Sequence, residues 1–120
     1  MSNEIRTYRD LIAWQKVFEV GKRIYGITAS FPAEERFGLT MQLKRGSVSI
    51  ASNIAEGYGR GSTGDYSRFL KIARGALYEL DTQMLFAVDL HYMKIDVYEE
   101  IKLMIDEVER VLAGLIRSIR

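Results

Sequence analysis

Apolar side chains recur every three to four residues along nearly the whole chain, and only an α-helix gives that period one wet face and one dry face. In the second quarter the line is Leu39, Leu43, Gly46, Ile50 and Ile54. In the third it is Tyr66, Phe69, Leu70, Ala73, Leu77, Leu80, Met84 and Val88, and in the fourth Ile101, Met104, Ile105, Val108, Leu112, Leu115 and Ile119. The first segment, Tyr8 to Ala29, carries Leu11, Ala13, Trp14, Val17, Phe18, Val20, Ile24, Tyr25 and Ile27. No β-type alternation is sustained, so the expected fold is all-α: an antiparallel up-down-up-down four-helix bundle, since short connections between long helices make neighbours antiparallel. The 120 residues read as a single domain spanning 1–120.

Local signals set the expected boundaries. Thr7 and Asp10 have the spacing of a capping box, in which each side chain takes up a backbone N–H that the first turn leaves unpaired. Phe31-Pro32 ends the first helix, because proline disfavours helical geometry in the residue before it. The second helix is expected to stop at Gly57 as a left-handed cap. Ser62 with Asp65 and Asp96 with Glu99 are read as capping boxes for the third and fourth helices, the third reaching to about Tyr92. The first helix has an apolar arc wider than the ~100° stripe one core requires. The surplus points to a second burial partner, and a homo-oligomer is the expected one.

The stretch SNIAEGYGRGSTGDY contains Gly59-x-Gly61-x-x-Gly64, which matches a dinucleotide-binding fingerprint in letters. The context is wrong, because that loop needs a strand before it and a strand-helix-strand unit around it, and here a helix precedes. The glycines read as a corner between helices, with Arg60 as a candidate phosphate contact beside the start of the third helix. Gln42, Ser49, Asn53 and Glu56 flank the apolar line of the second helix and read as a structural polar network. No catalytic residue and no cofactor is expected. The sequence has no cysteine and one histidine, His91, so thiolate chemistry is excluded and a Glu-x-x-His pair cannot be assembled within one chain. His91 reads as a helix-end residue.

Formal net charge is only +1, yet the charges separate along the chain. From Arg36 to Arg74 the balance is basic; from Glu79 to Glu109 it is acidic. Lys44, Arg45, Arg60, Arg68, Lys71 and Arg74 point away from the apolar lines and are the candidate contacts for RNA or DNA phosphates. Aromatic residues suited to stacking on bases are not evident beyond Tyr58 and Tyr66. With no signal-like segment and no run of ~20 uncharged residues, the expected location is the cytoplasm, without a membrane.

Three blocks carry a family resemblance: DLIAWQKV from Asp10, FPAEERFGLTMQLKRGSVSIASNIAEGYGR from Phe31, and FLKIARGALYEL from Phe69. In these the chain resembles the four-helix-bundle family of proteins encoded by intervening sequences in bacterial 23S ribosomal RNA genes. The resemblance implies an antiparallel bundle assembled into a ring, typically a homopentamer. It also implies similarity to accessory proteins of diversity-generating retroelements, whose basic surfaces point to nucleic acid. Gly75-Ala76 stands where relatives often carry Gly-Ser. The expected function is thus a non-enzymatic homo-oligomer binding RNA or DNA backbone through its second and third helices. The alternative is a structural or protein-interaction module whose basic face meets the acidic fourth helix of a neighbouring subunit.

Overall fold

The computed structural model describes residues 4–119. They form four α-helices, with no strand among the described residues: α1 Ile12–Thr28, α2 Leu39–Gly59, α3 Thr63–Asp89 and α4 Ile95–Ser118. One-turn 3-10 segments at Tyr8–Asp10 and Ala33–Glu35 precede α1 and α2. At ~1.5 Å per residue α3 is about 40 Å long, close to the 43 Å long axis of the molecule. Each helix packs on two others, α1 on α2 and α4, α3 on α2 and α4, so the core lies where all four meet. Val17, Val20 and Ile24 enter it from α1, Leu43, Ile50 and Ile54 from α2, Leu70, Leu77, Leu80 and Met84 from α3, and Ile101, Val108 and Leu112 from α4. Burying a side chain of this size contributes about 1.5–3 kcal/mol.

Contacts between helices pair low numbers with high ones. Gly57 faces Tyr66 and Phe69, and Gly46 faces Leu80 and Gln83. Gly21 faces Ser47. Lys16 pairs with Glu107 and Arg23 with Glu100, joining α1 to α4. Between α3 and α4 the Tyr98 hydroxyl donates to Asp81 at 2.8 Å, and Lys102 sits 3.3 Å from the same carboxylate. Burial first, and then the Asp81 bond, push the Tyr98 hydroxyl up to about 12.

Several helix ends differ from the sequence expectation. The Thr7–Asp10 box does form, but it closes the 3-10 turn. Leu11 then takes an extended conformation, and α1 starts only at Ile12. That break turns the Leu11 side chain into the core, where it is buried. Ser62 accepts from the Asp65 N–H at 3.2 Å, yet the Asp65 carboxylate is turned to Arg60 and Arg68 in place of completing the box. The Asp96–Glu99 box does not form: Lys94 is the N-cap, and Asp96 accepts instead from the adjacent Val97 N–H.

Gly57 is no left-handed cap. It lies inside α2, buried, and α2 runs on to Gly59 while Gly61 carries the positive φ, +84°. What Gly57 provides is room, because a Cβ there would lie 2.7 Å from the Phe69 Cβ and 3.3 Å from the Tyr66 backbone oxygen.

The third helix ends at Asp89, short of Tyr92, through a left-handed turn at His91 with φ 65°. The His91 N–H reaches the Val88 carbonyl at 3.0 Å and the Tyr92 N–H the Ala87 carbonyl at 2.8 Å, the paired bonds of a Schellman turn. Glycine occupies such a position without the clash between Cβ and backbone that other residues incur. His91→Gly is therefore expected to stabilise the protein by about 1 kcal/mol, read as a higher denaturant midpoint at unchanged slope.

Candidate nucleic-acid interface

The N-terminal half of α2 carries a basic concavity of about 510 Å³, lined by Tyr25, Arg36, Thr40, Met41, Lys44, Arg45, Val48 and Ser49. Helical spacing creates it, since Lys44 and Arg45 follow Met41 by three and four residues and precede Val48 by four and three, along one side of the helix. The lining holds three cations, the hydroxyls of Tyr25, Thr40 and Ser49, and no carboxylate. Arg36, Lys44 and Arg45 make no ion pair with any described residue. Two of these cations lie against aromatic rings: Lys44 Nζ is 5.1 Å from the centre of Tyr25, and the Arg36 guanidinium 5.0 Å from that of Phe37. Arg45 also borders the α2–α3 groove that contains Glu79.

The six candidate cations do not form a single cluster. Gly46, beside Arg45, faces Leu80 and Gln83, whereas Gly57 faces Phe69. Eleven residues of α2 separate those levels, so Arg68, beside Phe69, stands about 16 Å further along the bundle than Arg45. Arg60 lies 3.3 Å from Glu56 and 3.5 Å from Asp65, and Arg68 3.7 Å from the other Asp65 oxygen. Both guanidiniums rest against the Phe69 ring, at 5.3 and 4.5 Å. The glycine-rich corner is thus clasped by carboxylates that already offset its positive charge. Lys71 is exposed and Arg74 half-buried on α3, and neither makes an ion pair with a described residue.

The polar residues of α2 divide as well. Asn53 donates to the Ser49 carbonyl at 2.8 Å and to its hydroxyl at 3.1 Å. Glu56 belongs to the Arg60 clasp, and Gln42 is exposed at the groove towards α3. The acids of α4 are partly consumed inside the bundle: Glu100 and Glu107 by α1, Asp106 by Lys102, and Glu109 by the Tyr78 hydroxyl. Among the described residues no three of His, Asp and Glu converge as metal ligands would. None of the described helices is long and apolar enough to cross a membrane.

The broad apolar arc of α1 has two fates. Ala13, Val17, Val20 and Ile24 are buried, whereas Phe18 and Tyr25 are each 48 % exposed. With Trp14 they wall an apolar groove of about 520 Å³ whose opposite side is Ser47, Val48, Ala51 and Ala55 of α2. The Trp14 and Phe18 rings stack at 5.0 Å. Tyr25 lines both this groove and the basic concavity.

Sequence reasoning placed Arg36 among the basic residues but not at a site, and it missed Tyr25 and Phe37 as surface aromatics. Tyr25 was absorbed into the apolar arc of α1. Phe37 sits in a connection with no period to show which way it faces. Its signal was the pair Arg36-Phe37 itself, a cation beside a ring directly before a helix.

Four packed helices, with Arg36, Lys44 and Arg45 lining a concavity beside the start of α2, define an all-α helical protein. By sequence the chain belongs to the 23S rRNA-intervening sequence protein family, whose model it matches over residues 9–114. Its fold is similar to the crystal structure of a protein of unknown function from the S23 ribosomal protein family of Bacteroides thetaiotaomicron VPI-5482. The TM-score is 0.81 at 24 % identity, covering 88 % of this chain and 96 % of the other. No curated protein matches the chain.

Proposed function

We propose that the protein is a non-enzymatic, cytoplasmic homo-oligomer that binds the phosphate backbone of RNA or DNA through the α2 concavity. The observation that carries this reading is the company of Arg36, Lys44 and Arg45: three cations beside three hydroxyls, with no acid in the lining and no ion pair to a described residue. Unpaired cations held together are costly through mutual repulsion, and a polyanion relieves that cost while releasing counterions. Lys71 and Arg74 of α3 lie outside the concavity, Arg74 near Tyr78 on the side of α4, and Arg60 and Arg68 contribute less because Glu56 and Asp65 hold them. The test is a titration of RNA and DNA oligonucleotides across ionic strength: log affinity should fall with log salt by about 0.7–0.9 per phosphate engaged. Affinity indifferent to salt overturns the reading.

The assembly we propose is a ring of bundles, each an antiparallel up-down-up-down set of helices. Supporting the topology, the residues that meet across each pair of helices advance on one as they recede on the other. Supporting self-association, Phe18 and Val48 stand half-exposed across the α1–α2 groove, an apolar face of the kind subunit contacts cover. Phe18→Glu is expected to lower the mass measured by light scattering to that of a monomer while helicity is kept. An unchanged mass moves the interface elsewhere.

A second reading has an observation of its own. Asp96 and Glu99 are exposed at the start of α4 and make no ion pair with a described residue, so the basic concavity of one subunit can meet them on the next. In that case assembly, rather than nucleic-acid binding, weakens with salt.

A further inference from the structure

Phe37 is 75 % exposed, more than any other large apolar side chain among the described residues. Its backbone is nevertheless braced. On one side lies the 3-10 turn Ala33–Glu35, on the other the first turn of α2. Glu35 ties the two together, accepting from the Leu39 N–H at 3.0 Å and from the Tyr92 hydroxyl at 3.1 Å. A Cβ on Gly38 would lie 2.6 Å from the Glu35 oxygen that accepts from Leu39, so a larger residue after Phe37 would press on the brace. An aromatic ring held out into solvent on a fixed support contributes nothing to the core, and its exposure costs hydration free energy.

Its surroundings say what would use it. The Arg36 guanidinium lies 5.0 Å from the ring centre, and Arg36 itself lines the basic concavity with Lys44, Arg45, Thr40 and Ser49. Across that concavity stands Tyr25, 48 % exposed, with the Lys44 ammonium 5.1 Å from its ring. Cations and hydroxyls suit phosphates and sugars, which any nucleic acid offers. A solvent-facing ring beside them suits only a base whose face is free. Duplexes hide those faces in the helical stack, whereas single strands present them, and aromatic platforms next to a cationic track are how sequence-tolerant single-strand binding is built.

We propose that the ligand of the α2 concavity is single-stranded nucleic acid, with an unpaired base stacked on Phe37 and the adjoining phosphates on Arg36, Lys44 and Arg45. This rests on the backbone-binding reading above and narrows it. Phe37 acts as a specificity residue: it selects the unpaired state and leaves the phosphate contacts, and hence the salt dependence, to the cations. Because its side chain is so exposed, replacing it leaves the core untouched.

The experiment uses the full chain with a mixed-sequence oligonucleotide of about 15 nucleotides carrying 2-aminopurine, presented alone and as the annealed duplex. Phe37→Leu keeps the apolar character and removes the π face; Phe37→Trp keeps both. Wild type and Phe37→Trp are expected to prefer the single strand and to quench the 2-aminopurine fluorescence. Phe37→Leu should lose about tenfold in single-strand affinity, with the quenching reduced and duplex affinity and salt slope unchanged. If Phe37→Leu leaves single-strand affinity within about twofold, or shifts strand and duplex alike, the stacking proposal is overturned while salt-dependent backbone binding stands. A change in oligomeric mass with no change in binding also overturns it, giving Phe37 to a neighbouring subunit. Should neither oligonucleotide bind at any ionic strength, both proposals fail together.

Discussion

Gly57→Val is expected to melt about 10 °C below the parent protein, a loss of about 3 kcal/mol. The position is buried at the contact of α2 with α3, and even the first added carbon would lie 2.7 Å from the Phe69 Cβ. That atom is the stem of its side chain and cannot rotate away, and the Tyr66 carbonyl behind it belongs to α3 itself. The helices must therefore separate, or Phe69 must leave its place under Arg60 and Arg68. Intrinsic helix propensity acts the other way, since glycine inside a helix is worse than alanine by about 1 kcal/mol. Gly75, in the middle of α3, isolates that effect because a Cβ there meets nothing within 4 Å. Gly75→Ala is accordingly expected to gain up to about 1 kcal/mol. Melting curves of the two variants should thus shift in opposite directions, and a shift of the same sign in both would show that the α2–α3 crossing is not the tight contact described.

The largest expected effect on binding belongs to the double reversal Lys44→Glu, Arg45→Glu. Neither side chain pairs with a carboxylate of the described residues, so their charge is available to a phosphate. Reversal removes two contacts and places two negative charges in the same concavity. Affinity for nucleic acid at moderate salt should drop by about two orders of magnitude, and the salt slope by about 2. The matched control is Arg60→Glu, Arg68→Glu. Those guanidiniums are shared with Glu56 and Asp65, so their reversal should weaken binding far less, at some cost to the α2–α3 corner. Equal losses in the two doubles, measured by fluorescence anisotropy over a salt series, would return the interface to the whole α2–α3 face.

Both predictions turn on glycines and cations whose letters are plain in the sequence and whose circumstances are not. Gly57 follows Glu56 at the end of an apolar line and reads as a cap. It is instead a gap for Phe69, because α2 finds two more residues of helix before Gly61 makes the turn. Arg60 and Arg68 read as candidate phosphate contacts, but folding places Asp65 between them. The Asp96–Glu99 pair has the spacing of a box and none of its bonds, since Asp96 satisfies its immediate neighbour instead.

Periodicity alone determined that the chain is helical, where its four helices lie to within a few residues, and which face of α2, α3 and α4 is buried, because those properties depend on side chains three and four positions apart in one segment. The separation of basic and acidic stretches was equally visible. Tertiary structure alone decided which charges remain unpaired, which glycine admits a neighbouring helix, and that Tyr25 and Lys44 share a concavity with Arg36, whose guanidinium lies against Phe37. Those outcomes depend on distances between segments far apart in the chain, such as Glu35 to Tyr92 and Gly57 to Phe69, and no local pattern of residues encodes a distance of that kind.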